Sequence, residues 1–201
     1  MDRADPRVQL ARDHDLDTVS RTIELAFVDD PLWSWALARR DGRTEHQRLF
    51  WRLFVEGALR YDATWVADEG AAASVWIPPG GTDLSSDQEE QLDALVVTHL
   101  GDRGDRFREL LSRFEDHHPR DEPHYYLSLL GTHPDARGRG VGMALLTLNL
   151  AVVDAEHAPA YLESSNPAND VRYRSVGFEP VGSYFAPDDG PEVTTMWRRA
   201  R

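Results

Sequence analysis

Arg137-Gly138-Arg139-Gly140-Val141-Gly142 lies between an apolar run with strand character, Tyr125 to Thr132, and one with helical character, Val141 to His157. A strand that ends in a glycine-rich turn and re-enters as a helix gathers free backbone N–H groups at the helix N-terminus. With the positive end of the helix dipole behind them, such groups suit a phosphate or pyrophosphate. The guanidiniums of Arg137 and Arg139 can add bidentate contacts to the same oxygens. An ordinary turn that binds nothing carries similar glycines, so context has to decide.

Spacing excludes the two commonest phosphate loops. A Walker loop ends in Gly-Lys-Ser/Thr, and the chain has no lysine. The dinucleotide pattern G-x-G-x-x-G fails because Met143 and Leu145 stand where the third glycine would fall. What remains is R-x-x-G-x-G on Arg137, Gly140 and Gly142.

The elements that position this turn read as alternating strands and helices. Val8 to Ala11 reads as a short strand and Asp15 to Val28 as a helix with Val19, Ile23, Leu25 and Ala26 on its apolar side, ended by Asp29-Asp30-Pro31. Thr44 to Tyr61 is a second helix, and Thr64 to Ala67 and Ala72 to Ile77 are strands joined at Asp68-Glu69-Gly70. Asp87 to Phe114 is helical, divided near Gly101 and Gly104. In the helix after the turn, Val141, Leu145, Leu148 and Val152 form a stripe that Leu146, Leu150 and Val153 broaden. Ala160 to Glu163, Phe178 to Tyr184 and Val193 to Arg198 are strands, and Asn169 to Val176 a short helix. This order implies an α/β sheet that is mixed rather than purely parallel.

Composition bounds the function. The chain has 201 residues, 41% hydrophobic and 28% charged, which suits one domain spanning residues 1–201 with a substantial core. No window reaches the length of a membrane span, and the charged start (Asp2, Arg3, Asp5, Arg7) is unlike a signal peptide. With no cysteine there is no disulfide, thiolate metal site or cysteinyl acyl-enzyme, and a cytoplasmic setting is expected. A net charge of −13 argues against nucleic acid and favours cationic small partners. His117, His118 and His133 lack metal-ligand spacing, so no metal is expected.

Tyr126-Leu127-Ser128-Leu129-Leu130-Gly131-Thr132-His133-Pro134-Asp135-Ala136 and the turn after it resemble the central motif of the GNAT N-acyltransferases. So do Tyr161 to Pro167, and Asn166 followed seven residues later by Tyr173 and then by Gly177-Phe178. The N-terminal helices, Thr64 to Asp68 and Val75 to Pro79 are similar to puromycin N-acetyltransferase-like members. The resemblance implies a mostly antiparallel central sheet of about seven strands, flanked by helices and splayed in the middle at an acyl-CoA site. It implies acetyl-CoA as co-substrate, its pyrophosphate on the backbone of Arg137, Gly138, Arg139, Gly140, Val141 and Gly142. The pantetheine arm would run along Leu130-Gly131-Thr132 and meet Asn166. Tyr173 would protonate the departing thiolate.

The family pattern is departed from at Thr132, where Val is usual, and at Asn169, Arg172, Arg174 and Ser175 around Tyr173. The reaction implied is direct transfer in a ternary complex to a primary amine of a small antibiotic- or metabolite-like molecule, the oxyanion meeting the Leu130 N–H. An ammonium must lose a proton before it attacks. Glu163, at the end of its strand, is the first candidate base, ahead of His124, Tyr126 and His133. Trp33, Trp35, Trp51 and Trp76 could line the acceptor pocket or pack in the core. An acyl-CoA-binding sensor or inactive paralogue would keep the turn without needing Tyr173, and acetylation of protein amines is a third reading. Either a monomer or a homodimer is compatible with all three.

Overall fold

The computed structural model describes residues 6–201, so the charged stretch Asp2 to Asp5 lies outside the described residues. Seven strands form one sheet: β1 (Val8–Leu10), β2 (Thr64–Ala67), β3 (Ala72–Ile77), β4 (Tyr125–Thr132), β5 (Ala160–Ser164), β6 (Glu179–Phe185) and β7 (Glu192–Arg198). Their order is β1-β2-β3-β4-β5-β7-β6, and the β4–β5 pair alone is parallel. The sheet is therefore mixed and mostly antiparallel. The helices are α1 (Leu16–Phe27), α2 (Pro31–Ala36), α3 (Gln47–Ala58), α4 (Ser86–Leu100), α5 (Gly104–His117), α6 (Val141–Ala155) and α7 (Asp170–Ser175).

Helix α2 is absent from the sequence reading, where Asp29-Asp30-Pro31 only ends a helix. Those residues also begin one. The Asp30 carboxylate accepts from the N–H groups of Leu32 and Trp33, and Pro31 at the first helical position gives up an N–H that has no partner there anyway.

Each face of the sheet carries its own core. Val66, Ala73, Val75, Ile77 and Leu129 pack under α1 to α5, while Trp76, Leu127, Leu162 and Met196 pack under α6. Successive strand residues point to opposite faces, which places Val75 and Trp76 on different sides. Leu127 and Leu129 should then share a face, yet they lie on opposite ones. A bulge resolves this: Val75 pairs with Leu129 and Trp76 with Leu127, leaving Ser128 without a partner.

The stripe read on α6 is partly corrected. Leu148 and Val152 are 46% and 44% exposed, and Asn149 is buried in their place. Its Oδ1 accepts from Ser74 Oγ at 2.7 Å and from Trp76 Nε1 at 3.1 Å, so a polar residue locks the helix to β3. Among the described residues no helix is long and apolar enough to cross a membrane.

The sheet opens at its centre. β4 and β5 pair only at Tyr125–Ala160 and Tyr126–Tyr161, after which the two strands part. Beyond that point β4 bonds to β3 alone. His133 N–H donates to the Ala71 carbonyl at 2.9 Å, and alternate residues turn their N–H groups to opposite edges. Gly131 thus also faces β3, while the N–H groups of Leu130 and Thr132 face the gap.

Helix α6 is held close to this strand because Gly142 has no side chain; a Cβ there would strike Thr132 Oγ1. Gly142→Ala is expected to cost about 1–3 kcal/mol from overpacking. Thermal unfolding of Gly142→Ala and of the Gly142→Ala/Thr132→Ala pair checks this. The double variant should recover much of the lost Tm.

Candidate active site

Two cavities open from the gap between β4 and β5. The smaller, about 540 Å³, lies over the β4 end and the N-terminus of α6. The larger, about 860 Å³, extends between the sheet and helices α2 to α5. Phe27, Leu130, Asn169 and Tyr173 line both, so the cavities meet there.

The smaller cavity is lined by a glycine turn and by the start of a helix, groups suited to an anion with an extended polar arm. The first i→i−4 bond of α6 runs from Ala144 N–H to the Gly140 carbonyl at 3.0 Å, and no side chain caps the helix. The N–H groups of Val141, Gly142 and Met143 therefore precede the helical ladder, and all three residues line the cavity. Gly138 and Gly140 hold φ of +75° and +79°, a backbone that side chains strain, and this turns the chain sharply into the helix.

The sequence reading of this turn needs narrowing. The Arg137 and Arg139 N–H groups are used within it, donating to Pro134 O and Ala136 O at 3.1 and 3.3 Å. The Arg137 side chain lines the cavity and donates to the Ala26 carbonyl at 3.0 Å, tying the turn to the end of α1. Arg139 is exposed and outside the lining. Gly131 also lies outside it: a Cβ there would press on Ala26 and Ile23, so its role is to admit α1. Asn166 lines the cavity, its Oδ1 accepting from Ala168 N–H at 3.0 Å. Met143 and Arg172, to which the sequence reading gave no part in ligand binding, join the lining.

The larger cavity has an aromatic wall and an acidic lining. Trp33 packs edge-on to Trp51 with centroids 4.9 Å apart and stacks on Phe114 at 5.8 Å, while Phe27 meets Trp51 at 5.1 Å. Trp35 and Trp76 are elsewhere: Trp35 carries the Arg106 guanidinium on its ring, and Trp76 is fixed by Asn149 in the opposite core. Against the aromatics stand Asp83, Glu89, Glu115, Glu122 and Glu163, with Arg120 as the lone arginine of the lining.

Glu163 accepts from Tyr126 at 2.8 Å and from Tyr161 at 3.0 Å. Burial outweighs these bonds and pushes its carboxyl up to about 8, helped by the charges of Asp83 and Glu115. His118 and His124 line the same wall with their Nε2 atoms 3.1 Å apart, one ring donating to the other, and burial lowers His118 to about 4. His133 is not in this cavity; its Nδ1 accepts from Asp135 N–H at 3.3 Å and caps a turn.

At the junction, Tyr173 packs edge-on to Phe178 with centroids 6.2 Å apart. Burial raises its phenol, and the charges of Asp30 and Asp170 raise it further, so it stays protonated at neutral pH. Asp30, 6% exposed, also accepts from Ser165 Oγ at 2.9 Å. It joins the start of α2, which carries Trp33, to the loop that carries Asn166. Desolvation outweighs its hydrogen bonds and raises it to about 6.

No family model matches the chain. Solved structures do. It is similar to "histone acetyltransferase HPA2 and related acetyltransferase" from Corynebacterium glutamicum, at 26% identity over 98% of each chain and a TM-score of 0.74. Drosophila melanogaster polyamine N-acetyltransferase superposes at a TM-score of 0.68 and 15% identity, over 97% of this chain and 100% of that one. Arylalkylamine N-acetyltransferase 2 from Aedes aegypti does so at 0.68 and 14%, over 98% and 100%. The seven-stranded sheet with its central gap is the GNAT acetyltransferase fold.

The raised carboxyl of Asp30 has a stability consequence. Its folded value lies above the ordinary 3.8, so the folded state favours the neutral form. That contribution is present below about pH 4 and is lost as pH rises through about 6. Asn can accept the same helix-start bonds and donate to Ser165. Asp30→Asn is therefore expected to gain Tm on the wild type at pH 7.5, with the gap closing toward pH 4, as calorimetry across that range would show.

Proposed function

We propose that this chain is a GNAT-superfamily N-acetyltransferase, acting as a single domain in the cytoplasm. It moves an acetyl group from acetyl-CoA to a primary amine of a small molecule by direct transfer in a ternary complex. The observation that carries this reading is the meeting of two unlike cavities at Leu130 and Tyr173, one lined by unused N–H donors and one by carboxylates and aromatic rings. The likeness of the N-terminal half to puromycin N-acetyltransferase-like members supports a small-molecule acceptor, as does a cavity enclosed by α2 to α5.

Acetyl-CoA fits the smaller cavity on chemical grounds. Its pyrophosphate would take the N–H groups of Val141, Gly142 and Met143, with Arg137 beside them. Its pantetheine amides would pair with Leu130 and Thr132 as an added strand does, with Asn166 on the other side. Bound there, it supplies an activated acetyl group. The chain's own groups then manage protons and charge. Glu163 takes the proton that the ammonium must lose, and the Leu130 N–H stabilises the developing oxyanion. As the new C–N bond forms and the C–S bond breaks, Tyr173 supplies the proton that the departing sulfur takes up.

Release of free thiol from acetyl-CoA, followed over a panel of amines, tests the reading. Tyr173→Phe should lower kcat by about 10²-fold, the lower range for a general acid, with a smaller effect on acetyl-CoA binding. Gly140→Asp should abolish that binding. For the wild type kcat/KM should rise with pH through about 8, as the Glu163 carboxyl ionises, and Glu163→Gln should flatten that limb. Acetyl-CoA binding with no turnover on any amine would support the sensor reading instead, and absence of binding would remove both.

A further inference from the structure

Two phenols close around Glu163, and only one of them has a second acceptor for its proton. Tyr161 and Glu163 are alternate residues of β5 and so share a face of the sheet. Tyr126 pairs with Tyr161 at the last rung before β4 and β5 part. Its hydroxyl donates to Glu163 Oε2 at 2.8 Å and has no other acceptor among the described residues. The Tyr161 hydroxyl lies 3.0 Å from Glu163 Oε1 and 3.4 Å from the carbonyl oxygen of His117. That carbonyl ends α5, past the reach of the helical ladder, and among the described residues no backbone N–H takes it. A hydroxyl has a single proton, so it serves one of these two oxygens at a time.

We propose that Tyr161 is a positioning residue for the transfer, turning its hydroxyl from Glu163 to the His117 carbonyl when Glu163 takes the proton of the ammonium. A protonated carboxyl is a donor, and aimed back at the new amine it ties up the lone pair that must attack. With the Tyr161 proton on His117, the phenol oxygen accepts from the Oε1–H of Glu163 instead. The proton has then passed from the amine nitrogen to Oε1, the lone pair is free, and neither hydroxyl is left unsatisfied. Tyr126 offers no such exchange. It only donates, which favours the ionised carboxylate over the acid.

The groups around Glu163 leave this exchange to the two tyrosines. Burial, and then the charge of Glu163, pushes both phenols well up, so each keeps its proton at neutral pH. Asp83, in the loop after β3, accepts from Ser128 Oγ at 2.6 Å, the residue that the β4 bulge sets apart. Its charge and that of Glu115 on α5 oppose the ionisation of Glu163. His118 packs edge-on to the rings of Tyr126 and Tyr161, at 4.9 and 5.1 Å. Its Nε2 faces His124, and with its value lowered to about 4 the ring is neutral where Glu163 titrates. Tyr184 of β6 lies in the field of Glu163 with its buried hydroxyl unpartnered among the described residues. Arg113 of α5, whose charge reaches Tyr184, is held by Glu109 and the Phe185 carbonyl.

This inference rests on the acetyltransferase reading, and one set of pH profiles separates the two. For an amine that the wild type turns over, kcat and kcat/KM are followed across the Glu163 limb in the wild type, Tyr126→Phe and Tyr161→Phe. Tyr126→Phe removes a donor to the charged form and should raise the midpoint of the limb by about one pH unit, the value of a hydrogen bond to an ionised group. Tyr161→Phe removes a donor to the charged form and an acceptor for the neutral one. Its midpoint should move much less, while kcat above the limb falls about tenfold. Lost packing alone would not divide the two effects in this way. If Tyr161→Phe fails to fold, NMR of the wild type reads the exchange directly: a nuclear Overhauser effect from the Tyr161 hydroxyl proton to the His118 Hα should grow as pH falls through the limb. A midpoint that moves as far in Tyr161→Phe as in Tyr126→Phe, a plateau kcat that Tyr161→Phe leaves alone, or no such Overhauser effect overturns the exchange and leaves the acetyltransferase reading standing. A wild-type limb that survives Glu163→Gln has the same meaning. Turnover of no amine in the panel overturns both.

Discussion

Two parallel strands that start a ladder and then part leave backbone N–H groups in the middle of a sheet with nothing to bond. That constraint governs this molecule. β4 and β5 share two residue pairs and separate, and the N–H groups of Leu130 and Thr132 face the space between them. Buried backbone donors are nearly always satisfied, so a sheet that opens at its centre is either badly made or made for an extended ligand. The neighbouring features favour the second. The glycine turn after β4 sends α6 back so that its uncapped N-terminus opens into the same cavity, and Gly142 lets the helix lie against Thr132.

The electrostatics follow from a chain with a net charge of −13 and no lysine. An anion has to be held by local dipoles and by Arg137, because the overall field repels it. The other side of the gap turns the same acidity to use. Asp83 and Glu163 have neutral hydroxyl partners, and desolvation raises both carboxyls above their ordinary values. A carboxylate in that condition is a better proton acceptor than an exposed one.

Much of this was legible in the sequence because it depends on local pattern. Alternating apolar residues gave the strands, and Gly138, Gly140 and Gly142 marked the turn between β4 and α6. The parts that stayed hidden depend on contacts between distant segments. Asp30 reads as a helix breaker; only the structure shows it starting α2 and bonding Ser165, 135 residues away. Asp83 and Ser128 have no shared motif and meet through a bulge that periodicity does not reveal. Gly131 and Arg139 sit inside a recognisable motif, yet one serves α1 and the other solvent. On α6 the apolar count was right and the buried face was not, because Asn149 finds two donors across the interface and Leu148 finds no neighbour to bury it.

The claim on which the rest depends is that the open edge of β4 and the start of α6 form one continuous acyl-CoA track. Backbone amide NMR during titration with acetyl-CoA addresses it residue by residue. The account predicts saturable shifts at the N–H groups of Leu130, Thr132, Val141, Gly142 and Met143, with Gly131, whose N–H faces β3, changing far less. Saturable binding that leaves those five amides unmoved, or that shifts a different part of the sheet, would contradict it.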